Sequence, residues 1–423
     1  MAHYIVTGGI PLSGSLTIAG RKNAALKLIA ASILAGGPVT LSNVPDINDV
    51  RVMLQIFEAL GGTVTKLGTE EVVLDPAGIT TSTIPEKFGR SLRASLVFVG
   101  PLLARFGKAT FPHPGGCVIG KRTIGPHLLA FEHLGAKITF DGSTYVAEGT
   151  LVGSRLYLKE RSVTGTENVI MAACGAKGTT TIYNAAEEPH IVNLCQLLRS
   201  LGYSITGDGT STVVVEGNPA GSTKGASCAV IPDDIEVGTF AAAVLVTKGE
   251  VTLQKVGTYA LVAPILSKLE DFAAEFSYTE DRGGDIALKP SHHMKAANVQ
   301  IGPWPMFPPD LQSPFAVVAT QATGTSMVHD WMYEGRLGFL DLLQRMEANT
   351  VICDPHRAII TGPTPLHHAS LISPDLRAGA ALLVAALAAE GQSVIEHAEL
   401  IDRGYASIDV RLRSLGANIT RHD

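Results

Sequence analysis

Residues 35–44 read AGGPVTLSNV, and the same phrase returns five times: RFGKATFPHP at 105–114, AKGTTTIYNA at 176–185, TKGEVTLQKV at 247–256, ATGTSMVHDW at 322–331 and AEGQSVIEHA at 389–398. Each copy follows an Ala-rich apolar stretch, turns at a glycine and runs on as an alternation of apolar and polar residues. The turn glycines are Gly37, Gly107, Gly178, Gly249, Gly324 and Gly391, spaced 70, 71, 71, 75 and 67 residues apart. A glycine after a helix takes the left-handed conformation and reverses the chain into a strand. Period-two alternation marks that strand as half-buried.

A second element follows downstream of each copy. It reads LGGTVT from Leu60, LGAKIT from Leu134, LGYSIT from Leu201 and LGANIT from Leu415, with weaker forms FAAEFS from Phe272 and MEANTV from Met346. Helix, turn and strand thus recur twice per period. The chain reads as an α/β protein of six repeated α/β units of about 70 residues, a period longer than the 20–50 residues of solenoid repeats. Six such units are expected to group as two sets of three.

Composition bounds the function. The 423 residues are 46% apolar and 17% charged, with 33 Lys and Arg against 39 Asp and Glu, a net charge of −6. That supplies full-sized cores and excludes a disordered chain. With no long run of one sign, it argues against a nucleic-acid or membrane-surface binder, so no nucleic acid partner is expected. No apolar run is long enough to span a bilayer, so no membrane insertion is expected. The opening MAHYIVTGGI lacks the basic and apolar regions of a secretory signal. The five cysteines, Cys117, Cys174, Cys195, Cys228 and Cys353, have no CxxC spacing. These features predict a cytoplasmic protein without disulfides or a zinc ribbon.

Four segments could carry chemistry. In FPHPGGCVIGKRTIGPH, 111–127, Pro and Gly break any helix and place Cys117 beside Lys121 and Arg122, cations that favour a thiolate. Cys117 is either an acid or nucleophile, or an incidental loop thiol; the other four cysteines read as structural, in apolar or helical settings. In IAGRKNAALKLIAASILAG, 18–36, Arg21, Lys22 and Asn23 stand where a helix begins. They form an anion site or a solvated helix start. In FPPDLQSPF, 307–315, Asp310 would cap the next helix, the default for such an Asp, or serve as a general base. Arg93, Arg336, Arg377 and Arg403 lie in short polar islands. They are surface ion pairs or a convergent anion site, since arginine grips carboxylate and phosphate through two bonds. There is no P-loop, dinucleotide fingerprint or HExxH, and no metal or cofactor is called for.

These motifs, with NVPDINDV, RASLVFVGPLLARFG, SVTGTENVIMAA, NAAEEPHIVN, PDDIEVGTF, PDLRAGAALL and IDRGYASIDVRLRSLGANI, run in order along nearly the whole chain. In them the sequence resembles the UDP-N-acetylglucosamine enolpyruvyl transferases. The resemblance implies a two-domain inside-out α/β barrel, three units per domain. Its domains would span 22–231, with the cysteine loop, and 1–21 plus 232–423, with the active site in the cleft between them. It implies transfer of enolpyruvyl from phosphoenolpyruvate to the 3-hydroxyl of UDP-N-acetylglucosamine, with release of phosphate, at the first committed step of peptidoglycan synthesis.

Residue by residue, the resemblance makes Asp310 the base and Cys117 the loop cysteine, active as acid or in product release and the target of fosfomycin-type epoxides. Lys22, Arg122 and Arg403 would hold phosphate, and Arg336 and Arg377 the carboxylate side. Asn23 would bind the sugar and Arg93 support the diphosphate. Glu188 and Asp233 would line the cleft, and Ser162, Val163 and Gly165 would lie near the uridine. Met332 and Asp375 complete the implied substrate-binding set. Three positions depart from the family pattern. Thr123-Ile124-Gly125-Pro126-His127 replaces the usual Pro-(Val/Ile)-Asp-Leu-His, Gly335 replaces an Asn before Arg336, and Pro309 replaces a Thr or Ser before Asp310. The catalytic set is intact and the nucleotide-reading set is altered. A different nucleotide or sugar acceptor, or a non-catalytic regulatory paralogue, is the alternative.

Overall fold

The computed structural model describes residues 2–66, 68, 70–115 and 123–423. The chain divides between Ala19 and Gly20 and again between Ile231 and Pro232. One compact unit holds 2–19 with 232–423, and the other holds 20–115 with 123–231.

In each unit the sheets are small and the helices between them are buried along most of their length. The unit with the C-terminus has three four-stranded sheets. Its central helices are Asp234–Val246, Gln312–Gln321 and Leu376–Ala388, pairwise packed. Every residue of Asp234–Val246 is buried, and Leu376–Ala388 buries Arg377 through Leu387. A helix apolar all round must lie inside a core. The runs FAAAVLV and AGAALLVAALA supply such helices, because alanine lets backbones approach closely. The other unit places Lys22–Ala31, Val99–Phe106 and Val163–Cys174 in the same role, with two four-stranded sheets and one of three strands. Helices inside and sheets outside make the inside-out arrangement.

Five of the six repeated strands follow one rule. Val39–Ser42, Thr179–Tyr183, Glu250–Gln254, Gly324–His329 and Gln392–Glu396 each run parallel to one neighbour and antiparallel to the other. Their burial alternates with period two, as in Glu250–Gln254 with Val251 and Leu253 inside. The N-terminal strand His3–Thr7 lies between Gln392–Glu396 and Asn418–His422, antiparallel to both. That pairing is why the first residues belong with the C-terminal unit.

The second repeated element is regular in its backbone. Its second residue has positive φ in all six copies: Gly61, Gly135, Gly202 and Gly416, and also Ala273 (54°) and Glu347 (68°). The turn glycines are less uniform than expected. Gly107, Gly178, Gly324 and Gly391 adopt positive φ, whereas Gly37 and Gly249 do not. At the fourth copy Lys248 takes the left-handed conformation instead. Gly249 is required there by close approach, since a Cβ would sit 2.3 Å from the Leu12 carbonyl oxygen.

Candidate active site

In the unit with the C-terminus, three helix or turn starts carry the charged residues. Asp310 lies in the single turn Pro309–Leu311 that leads into Gln312–Gln321. The capping role expected for it is not what it performs, and the helix has no side-chain cap. Its carboxylate accepts instead from Arg336 Nη2 at 2.8 Å on Oδ1. On Oδ2 it accepts from Arg377 Nε at 3.1 Å, with Nη2 at 3.0 Å. Arg336 also donates through Nη1 to the Pro309 carbonyl at 2.6 Å. Two of the four singled-out arginines therefore converge, and on a carboxylate. Both are one-tenth exposed and Asp310 one-quarter, so the cluster opens on the carboxylate side. Burial works against both guanidinium charges, but Asp310 outweighs it and holds each above its ordinary pKa.

The surroundings fix these groups. Asp375 is the N-cap of Leu376–Ala388, accepting from the backbone N–H groups of Arg377 (2.8 Å) and Ala378 (3.1 Å). Its visible work is to start the helix that presents Arg377. Tyr405 places its ring 5.5 Å from the Arg377 guanidinium, and its hydroxyl lies 2.8 Å from Thr239 Oγ1. Asp233 is buried and caps Asp234–Val246 through Ile235 and Glu236. Glu236 in turn pairs with Arg411 through both carboxylate oxygens. Met332 donates its backbone N–H to Asp330 at 2.9 Å, and Asp330, whose burial raises its pKa, also accepts from Tyr333. Arg403 is half-buried in the turn between Ala398–Ile401 and Ile408–Ser414.

In the other unit, Lys22 and half-buried Asn23 begin the helix Lys22–Ala31. Lys22 is not a solvated helix start. It is buried, with Nζ 2.6 Å from Asp49 Oδ2, itself buried. Ser162 caps Val163–Cys174, accepting from Gly165 N–H at 3.1 Å. Val163 and Gly165 are the first and third residues of that helix. Glu188 precedes Pro189–Ser200 without capping it. Arg93 donates to the Thr123 carbonyl at 3.1 Å, at the edge of the altered segment. A groove of about 340 Å³ lies there, lined by Thr123, Gly125, Pro126, Leu129, Tyr157 and Lys159 among others. His127 is buried behind it and engages Asn168 (3.0 Å) and Thr164 (3.2 Å).

The assignments of Cys117 and Arg122 fall outside the described residues. Of the remaining thiols, Cys174 and Cys195 are buried, and burial pushes both up in pKa. Cys353 departs from the apolar setting expected for it and lies exposed on the strand Thr350–Asp354. No group of metal-ligating side chains occurs among the described residues, and none of their helices is long and apolar enough to cross a membrane.

Sequence reasoning missed two groups. Asp49 stood in the quoted NVPDINDV, but nothing in its spacing pointed to Lys22. Glu167 is fully buried between Lys27 (3.6 Å) and His190 (3.4 Å). Its signal was available: one carboxylate amid the apolar residues of TENVIMAAC.

The EPSP synthase (3-phosphoshikimate 1-carboxyvinyltransferase) family model matches residues 6–412. The chain is 42% identical over 428 residues to the UDP-N-acetylglucosamine 1-carboxyvinyltransferase of Treponema denticola, covering 99% of each. It is 41% identical over 440 residues to that of Bacteroides thetaiotaomicron, covering 100% of each. Among solved structures, the enolpyruvyl transferase NikO from Streptomyces tendae superposes with a TM-score of 0.87 at 23% identity, over 99% of this chain and 98% of that one. An EPSP synthase from Acinetobacter baumannii gives 0.79 at 19% identity, over 100% of both. These two structures carry the fold, and the inside-out arrangement is theirs as well.

Proposed function

Since this chain belongs to the EPSP synthase family of carboxyvinyltransferases, we propose that it transfers enolpyruvyl from phosphoenolpyruvate to the 3-hydroxyl of UDP-N-acetylglucosamine and releases phosphate. Full-length relatives near 40% identity carry the name of that activity. The structural observation that carries the reading is the Asp310 carboxylate held by Arg336 and Arg377.

The chemistry needs a base for the acceptor hydroxyl, an acid for the methylene carbon, and cations for a carboxylate and a phosphate. The hydroxyl oxygen bonds to C2 of the enol, its proton passes to the base, and C3 gains a proton. The tetrahedral adduct then loses a C3 proton and phosphate, which restores the double bond. Asp310 serves as the base. Two guanidinium groups hold it through both oxygens. A substrate carboxylate that takes a share of Arg336 and Arg377 weakens their hold on Asp310 as the hydroxyl arrives. Lys22 and Arg403 serve the phosphate, Cys117 supplies the acid or aids release, and Arg122 joins the phosphate set. Asn23, Ser162, Val163, Gly165, Arg93, Glu188, Asp233 and Met332 serve acceptor binding, and Asp375 acts through the helix that bears Arg377. The experiment is phosphate release from phosphoenolpyruvate with and without UDP-N-acetylglucosamine.

One observation favours a second reading of the acceptor alone. The groove at 123–130 is walled by Thr123, Gly125 and Pro126, where the family pattern has a carboxylate. A panel of nucleotide sugars separates the two, since turnover restricted to UDP-N-acetylglucosamine removes the second.

A further inference from the structure

We propose that Glu167 is a positioning residue, tying together three helices whose N-termini carry Lys22 and Asn23, Ser162 and Val163, and Glu188. The proposal rests on the functional reading above for the roles of those termini, and on the structure for the tie itself.

Glu167 sits five residues beyond Ser162 in the helix Val163–Cys174, with no exposed surface. Its Oε2 lies 3.6 Å from the ammonium of Lys27, five residues beyond Lys22 on its own helix. Its Oε1 lies 3.4 Å from Nε2 of His190, the second residue of Pro189–Ser200 and two beyond Glu188. Lys27 and His190 are almost as deeply buried as Glu167. Five residues of helix are about 7.5 Å, so the tie lies one to two turns behind the termini at Lys22 and Ser162 and within the first turn behind Glu188. No substrate need touch it. A carboxylate in so dry a place is costly unless paired, and removing one member of a buried pair leaves the rest uncompensated. Such a cluster earns its place by fixing geometry.

The tie is also titratable. Burial raises the Glu167 carboxyl to about 7, against the opposing pull of Lys27 and, more weakly, Arg21, while Glu188 raises it further. The other ionisable neighbours are accounted for. Pro189–Ser200 brings His190 and Cys195, and Gly125–His133 brings His127, which engages Asn168 and Thr164. Arg105 of Val99–Phe106 donates instead to the Ile33 and Pro76 carbonyls. Loss of the Glu167 charge below neutrality therefore removes its pull on Lys27 and His190 together, and with it the alignment of three helix starts, while the buried neutral carboxyl stabilises the fold.

The test is Glu167→Gln, an isostere fixed in the neutral form. Michaelis constants for phosphoenolpyruvate and the sugar nucleotide should rise by about fivefold to a hundredfold, the range that a misplacement of about 1 Å produces, with a smaller change in kcat. The wild-type kcat/KM should fall on the acid side of neutrality, and that limb should vanish in Glu167→Gln. Hydrogen exchange gives a substrate-free arm. After correction for intrinsic rates, residues 22–27, 163–168 and 189–194 of the wild type should gain protection together as the pH falls through 7, because opening returns the Glu167 carboxyl to its ordinary range. In Glu167→Gln their protection should not change across that range. Michaelis constants within twofold of wild type with an unchanged acid limb would overturn the proposal, and so would pH-independent exchange in the wild type. Wild type that releases no phosphate would count against the functional reading alone, and the exchange arm would still decide the tie. A variant that fails to fold leaves the decision to the wild-type exchange profile.

Discussion

Arg377 holds one oxygen of Asp310 through two nitrogens, Nε at 3.1 Å and Nη2 at 3.0 Å, while the other oxygen belongs to Arg336. The pairing joins residues 67 positions apart, each at the start of a buried helix. On the proposed reading, a substrate anion frees this carboxylate by claiming Arg336 and Arg377.

Asp310→Asn should fold, because the amide keeps one acceptor for the two guanidinium groups. Phosphate release should fall by about 10²- to 10⁴-fold, the usual worth of a general base. Stopped assays beside a thermal melt check this. A rate near wild type would leave Asp310 as a counter-ion only.

Arg377→Lys keeps a charge but loses the planar fork. The Michaelis constant for phosphoenolpyruvate should rise by about tenfold or more, because an ammonium cannot satisfy a carboxylate through two parallel bonds. Kinetics at varied phosphoenolpyruvate measure it, and a value within twofold would remove Arg377 from the carboxylate site.

Lys22→Ala should weaken phosphoenolpyruvate binding, and the structure adds a cost in stability. Asp49 would be left buried beside the vacated ammonium, a loss of about 3–5 kcal/mol for a buried pair. Adding Asp49→Leu to a Lys22→Met variant should restore much of the melting temperature and none of the affinity. Recovery of both would make Lys22 structural.

Glu167 also sets a pH dependence of stability. Its folded-state carboxyl titrates at about 7, above the ordinary value of 4.5. The folded chain therefore binds a proton that the unfolded chain releases between those values. The stabilisation is complete below 4.5 and is lost as the pH rises through 7. The melting temperature should fall from pH 6 to pH 8 more steeply in wild type than in Glu167→Gln. Equal slopes in the two proteins would contradict the burial of an ionisable carboxyl.

The fold was legible in the repeats because glycine turns and strand alternation are local demands. The second element kept its left-handed residue even where the sequence reads Ala273 or Glu347, so tertiary register overrode local preference there. The site was legible as a set of residue types and illegible as pairs. Asp310 reads locally as a helix cap, and only the return of the chain at 336 and 377 makes it an ion-paired carboxylate. The tie from Glu167 to Lys27 and His190 depends on three helices packing, which no spacing encodes. Cys353 misled because its apolar neighbours Val351 and Ile352 are themselves exposed on the same strand.

The most direct measurement is phosphate released from phosphoenolpyruvate by the purified protein, with and without UDP-N-acetylglucosamine. Release that requires the sugar nucleotide and disappears in Asp310→Asn is the expected result. Folded protein that releases no phosphate with both substrates present would contradict the assignment of this acceptor and this reaction.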